Sequence, residues 1–112
     1  ARSLQFGIYR AMGMSMREVL SMLFGEQIFI SGTSIGANLH EAQYAQGKKD
    51  FISKLEIALK EASETGKWLE MLLKSECIDE ATYKSIDKTC STIRILLIAS
   101  IKTAKSNQNN KS

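Results

Sequence analysis

The sequence predicts an all-α fold, and three observations predict it. The chain has 112 residues and no proline, although strand-and-turn architectures usually place some proline in their turns and helices exclude it from their interiors. From Phe51 onward, apolar residues recur at alternating spacings of four and three, the signature of a helix with one buried stripe. Helix-start signals precede the apolar segments, notably Ser15-Met-Arg-Glu18 and Asp79. A composition of 44% hydrophobic and 24% charged residues is that of one globular domain. The reading is a bundle of four helices over residues 1–105, with 106–112 as a disordered polar tail.

The first helix is expected to be broken. Leu4, Ile8 and Ala11 or Met12 follow helical spacing until Gly13 interrupts it, which leaves one kinked helix or two short pieces. The capping-box spacing at Ser15 then starts a piece that runs to Phe24, before Gly25. The second helix is expected from about Glu26 to Gln46 or Gly47, burying Ile28, Ile35, Leu39 and Ala42 on a face that includes Gly32. Each interior glycine costs about 1 kcal/mol relative to alanine, so Gly32 and Gly36 need a reason, and close approach of a neighbouring helix is the one expected. A phosphate-binding loop is the rival reading. Gly32-Thr-Ser-Ile-Gly36 lacks both the Gly-Lys-Ser/Thr ending and the preceding strand that such a loop requires.

The third helix begins after Gly47, with Asp50 in the first turn where the macrodipole favours an acid. Its stripe is Phe51, Leu55, Ala58, Ala62, Thr65, Leu69 and Leu72, widened by Ile52, Leu59, Gly66 and Leu73. Asp50 with Lys54, Glu56 with Lys60 and Glu70 with Lys74 form i,i+4 pairs on its exposed side, worth about 0.2–0.5 kcal/mol each. Asp79 caps the fourth helix, whose stripe is Tyr83, Ile86, Cys90, Ile93, Leu97, Ser100 and Ala104. Between Ile93 and Ile101 this helix is apolar nearly all round. Ile95, Leu96 and Ile98 exceed what one core uses, and predict an oligomer interface. From Ser106 the tail offers no apolar anchor.

Charge is uneven along the chain. The net +3 conceals a balanced first 47 residues, an excess of two acids over residues 48–83, and an excess of five bases from Lys84 onward. Such asymmetry draws a protein toward polyanions. Cys77 and Cys90 lie in apolar surroundings without metal-ligand spacing, and read as reduced packing residues. Ser3, Gln5 and Arg10 interrupt any N-terminal apolar run, so no signal peptide or membrane span is expected and a cytoplasmic location is the default. His40 is the only histidine, and adjacent Glu41 points about 100° away from it on a helix, so the two form no base-and-orienter pair. Glu41, Glu61 and Glu64 lack the paired Glu-x-x-His sequences of a di-iron bundle. Trp68 beside Leu69 reads as packing. No catalytic residue, cofactor, metal or small-molecule substrate is expected.

Ser31-Gly-Thr-Ser-Ile-Gly-Ala-Asn38, Glu41-Ala42, Asp50-Phe51, Lys54, Ala58-Leu-Lys-Glu-Ala62, Glu64-Thr65 and Trp68-Leu69 form a specific combination. It resembles the four-helix-bundle proteins whose founding members are encoded in intervening sequences of bacterial 23S rRNA genes. The resemblance is strongest over residues 31–73 and leaves the N-terminal quarter unmatched. It implies an antiparallel up-and-down bundle without established enzymatic activity, assembled into a ring-like homo-oligomer, commonly a pentamer, with a suspected affinity for structured RNA or DNA. The chain departs from the pattern at Ile30, where relatives often have Arg, at Lys67, where an aromatic is common, and at Gly47, where Ser is usual.

Two functional classes follow. In the first, an oligomeric accessory protein neutralises nucleic-acid phosphates with Arg17, Lys48, Lys49, Lys88, Arg94, Lys102 and Lys105. Several of these cations should then converge on one face. In the second, the oligomer is a scaffold that presents helical grooves to a partner protein, and an apolar patch remains exposed.

Overall fold

The computed structural model describes residues 13–110, which form three helices. These are α1 (Met16–Gln43), α2 (Lys48–Lys74) and α3 (Glu80–Asn110), and no strand occurs among the described residues. The all-α class agrees with the sequence, but the four-helix count is overturned. The segment expected to end at Phe24 and the helix expected to begin at Glu26 are one continuous helix, α1. A single interior glycine costs about 1 kcal/mol, and contacts on both sides of Gly25 offset it. Phe24 stacks on Trp68 of α2 with ring centroids 5.9 Å apart, and Ser31 packs into α2 further along. The expected path of the first helix falls largely on residues 1–12, outside the described residues.

Local chemistry sets the helix ends. Ser15 is the N-cap of α1, its Oγ accepting from the Glu18 backbone N–H at 3.2 Å, as the capping-box spacing requires. Gly47 precedes α2 in extended backbone. Asp79 Oδ1 accepts from the Thr82 N–H at 2.7 Å at the start of α3, and these bonds from Thr82 hold its carboxyl below the usual value. The end of α2 is a Schellman motif. Cys77 N–H donates to Leu72 O at 2.9 Å and Glu76 N–H to Leu73 O at 3.0 Å, with Glu76 left-handed at φ 58°. A glycine usually holds that position, so Glu76 carries a backbone cost.

Helix α2 is the spine. It buries Ile52, Leu55, Ala58, Ala62, Thr65, Leu69 and Leu72, nearly the whole predicted stripe, with Phe51 only partly covered. Both α1 and α3 pack on it, yet no Cα of α1 lies within 8 Å of one of α3. The result is an open layer of 61 × 31 × 17 Å, with a radius of gyration of 17.9 Å against about 13 Å for a compact chain of this length. Helix α1 presents Ser31, Ile35 and Ala42 to the spine. Leu39, expected in that face, is exposed. On α3, Cys90, Leu97 and Ile101 are buried, whereas Ser100 and Ile86 are exposed, because Ile101 lies one turn after Leu97 on the line facing α2. Helix α3 continues past Lys105 to Asn110.

The α1–α2 seam is closed by polar groups as well. Ser31 Oγ and Thr65 Oγ1 lie 2.7 Å apart in a buried contact, and Lys54 Nζ meets Glu41 Oε2 at 2.9 Å, which raises the Lys54 pKa. Among the described residues no buried side-chain N or O lacks a hydrogen-bond partner.

Candidate nucleic-acid interface

The antiparallel course of α2 and α3 decides where the cations lie. Lys48 lines a shallow hollow of ≈ 430 Å³ with Phe51, Ser100, Thr103 and Asn107, so the start of α2 adjoins the end of α3. Across the α2–α3 seam, Lys60, Lys102 and Lys105 line an open groove of ≈ 540 Å³ floored by Leu59, Ile98 and Ile101. At about 100° per residue, Ser100, Thr103 and Asn107 face away from Ile98, Lys102 and Lys105, which puts hollow and groove on opposite sides. Lys48 thus sits where α2 starts, whereas Lys60, Lys102 and Lys105 share the groove on the opposite face, with Lys60 about 18 Å further along α2. Lys105 Nζ is 3.6 Å from Glu56 Oε2, an exposed pair, and Lys48, Lys49, Lys60 and Lys102 have no ion pair among the described residues.

The remaining cations are elsewhere. Arg17 pairs with Glu76 at 3.5 Å, beside the α2–α3 turn at the opposite end of the molecule, where Glu70, Asp79 and Glu80 also lie. Lys88 is exposed on the first half of α3. Arg94 is half-buried, with Nη2 donating to Ser91 Oγ at 3.1 Å. Its Nη1 lies 3.8 Å from where a side chain on Gly66 would begin, an ordinary van der Waals distance. Of the seven predicted contacts, Lys102 and Lys105 share the groove, Lys48 lines the hollow on the other face, and Lys49, Arg17, Lys88 and Arg94 line neither. Sequence reading missed Lys60 because it assigned that side chain to Glu56. Glu56 reaches Lys105 on α3 instead, a partnership invisible to i,i+4 spacing.

Arg2, Arg10 and Lys111 fall outside the described residues, which are charge-balanced overall. The basic end is thus a matter of placement rather than of excess. Helix α2 starts beside Lys48 and Lys49, but α1 and α3 end on the same side, so helix termini add no net positive potential there.

The other expected sites divide. Gly32 and Gly36 face open space, where a Cβ would meet nothing within 4 Å. Among the described residues no helix approaches them closely, because α3 packs on the far side of α2. Ile95, Leu96 and Ile98 are 66%, 62% and 53% exposed, but they diverge around α3, with Ile98 turned into the groove. Helix α1 adds exposed Phe29, at 71%, and Ile30, which pattern reading overlooked because neither belongs to the stripe facing α2. Cys90 is buried and its thiol pKa is pushed up, mainly by burial, as for a packing residue. His40 is exposed and its ring lies 5.1 Å from that of Tyr44. Among the described residues no group of three His, Cys, Asp or Glu side chains could hold a metal ion, and no helix is long and apolar enough to cross a membrane.

Comparison with known proteins decides the family. The model of the 23S rRNA-intervening sequence proteins matches residues 1–99. The chain belongs to that family. A crystal structure of a protein of unknown function from the S23 ribosomal protein family of Bacteroides thetaiotaomicron is similar, at 43% identity and a TM-score of 0.68. That match covers 89% of this chain and 83% of the other. No curated protein matches. Within the motif that carried the resemblance, Ser31, Ile35, Ala42, Ala58, Ala62, Thr65 and Leu69 are seam residues, and Glu41 with Lys54 is the ion pair beside them. Part of the motif of this intervening-sequence protein, with the Ser31–Thr65 contact and the Glu41–Lys54 pair, is therefore the joint between α1 and α2.

Proposed function

We propose that this protein is a non-enzymatic subunit of a homo-oligomer that holds structured RNA or DNA by its phosphate backbone. The observation behind the reading is the run of lysines along the first half of α2 and the second half of α3, where Lys60, Lys102 and Lys105 share one groove and Lys48 lines the hollow on the other face. Lysines are mobile point charges, suited to neutralising phosphate and less suited to planar, bidentate recognition of a base edge. Acidic groups at the far end of the layer orient the molecule, so that a polyanion meets the basic end first.

Assembly would multiply the effect. Among the described residues twelve large apolar side chains are exposed, as many as the apolar residues that are buried, and where such side chains are contiguous they mark contact surfaces. Phe29 and Ile30 lie on α1 and Ile95 and Leu96 on α3, at opposite edges of the layer. Joining α1 of one copy to α3 of the next is a heterologous contact that closes into a ring, such as the pentamer the family resemblance implies. All basic ends then share one side and bind multivalently.

The test is binding to structured RNA and duplex DNA across a salt series, with oligomer mass measured by light scattering in the same buffers. Four neutralised phosphates predict a loss of affinity of about 100-fold between roughly 50 and 200 mM salt. An intact oligomer that binds neither at low salt contradicts the reading. The exposed apolar faces would then favour a scaffold for a partner protein.

A further inference from the structure

Phosphate binding alone does not explain the groove at the basic end. Its rim carries Lys60, Lys102 and Lys105 against a single carboxylate, Glu56, while its floor of Leu59, Ile98 and Ile101 is aliphatic. A double helix presents phosphates, sugars and base edges; the apolar faces of its bases are stacked inside, so it could touch the lysines but gain nothing from the floor. An unpaired strand offers those faces. We infer that the groove binds unpaired nucleotides of looped or single-stranded nucleic acid, with base faces laid on Leu59, Ile98 and Ile101 and the flanking phosphates on Lys60 and Lys102. This rests on the nucleic-acid reading above and adds which form of nucleic acid is held.

Charge and dimensions select this occupant. Three lysines against one carboxylate call for a polyanion. The exposed, solvent-screened Glu56–Lys105 pair contributes little, so Lys105 exchanges its carboxylate for a phosphate at small cost. On α3 the floor extends only from Ile98 to Ile101, a rise of about 4.5 Å. An acidic amphipathic helix, the other polyanion with an apolar face, needs anchors at i, i+4 and i+7, about 10 Å apart. The groove of ≈ 540 Å³ falls within the range of small-ligand sites.

The experiment measures affinity of the full chain for an unstructured oligoribonucleotide and for a perfect duplex of equal length, using wild type, Ile98→Ser and Lys102→Gln. Ile98 is more than half exposed, so Ile98→Ser leaves the fold intact, as circular dichroism would verify. The expected result is tighter binding of the single strand, weakened about tenfold by Ile98→Ser through lost apolar contact, with duplex binding unchanged by that variant and both weakened by Lys102→Gln. Equal affinity for strand and duplex, with Ile98→Ser neutral, overturns the groove assignment but leaves phosphate binding standing. Loss of neither ligand in Lys102→Gln, or capture of an acidic helical peptide in place of RNA, overturns it as well.

Discussion

The buried contact between Ser31 and Thr65 makes a quantitative claim about how α1 is held. Their oxygens are 2.7 Å apart, and each also lies 2.9 Å from a carbonyl of its own helix, Gln27 O for Ser31 and Glu61 O for Thr65. Two hydroxyls own two protons, so one proton spans the pair and the other bonds one helix carbonyl. Removing either partner leaves the survivor free to donate to its own carbonyl, and no buried donor is orphaned. Ser31→Ala and Thr65→Val should then each cost about 1 kcal/mol, the net value of a hydrogen bond, rather than the 3 kcal/mol or so of an unsatisfied buried group. Their coupling in a double-mutant cycle should be about 0.5–1.5 kcal/mol. The assay is urea denaturation of the four proteins at one concentration, read by circular dichroism. Additive single effects, with coupling indistinguishable from zero, would show that the pair does not fasten the seam.

Three further perturbations test particular residues. Glu76→Gly relieves a left-handed residue at the end of α2 and should stabilise the protein by about 1 kcal/mol, the exposed pair with Arg17 being worth less; a lower urea midpoint refutes this. Asp79→Ala should lower the melting temperature by a few degrees at neutral pH. The folded-state pKa of Asp79 is depressed, so its ionised cap stabilises above the unfolded carboxyl value and is lost as pH falls through the folded one. The gap between wild type and variant should therefore narrow below about pH 4, and a gap unchanged at lower pH contradicts it. Gly32→Ala and Gly36→Ala meet open space among the described residues and should each stabilise the isolated subunit by about 0.5–1 kcal/mol; destabilisation of a dissociated subunit refutes this.

Much of the fold was legible because α2 is contacted on both sides. A helix in that position must carry a wide apolar stripe, and Leu55, Ala58, Ala62, Thr65, Leu69 and Leu72 declare it. Helix α1 was harder to read, because its contact with the spine uses Ser31 and Ala42 while Phe29 and Ile30 point to solvent, so burial and hydropathy disagree along it. Gly25 therefore reads as a boundary although it is only a costly interior position. The candidate interface was half legible. The C-terminal cations were evident from charge counting, but the juxtaposition of Lys102 and Lys105 with Lys60 depends on the antiparallel pairing of α2 with α3, which residue spacing does not encode. Arg17 was misplaced for the same reason, since its partner Glu76 is far away in sequence.

The most direct test of the basic end compares the salt dependence of RNA binding in three proteins. One is wild type, one replaces Lys48, Lys49, Lys60 and Lys102 with Gln, and the third replaces Arg17 and Lys88 with Gln as a control of unchanged fold. The account predicts that the fourfold variant flattens the slope of log affinity against log salt by about 3–4, while the control keeps the wild-type slope. Equal slopes in all three, or a loss confined to the control, would contradict it.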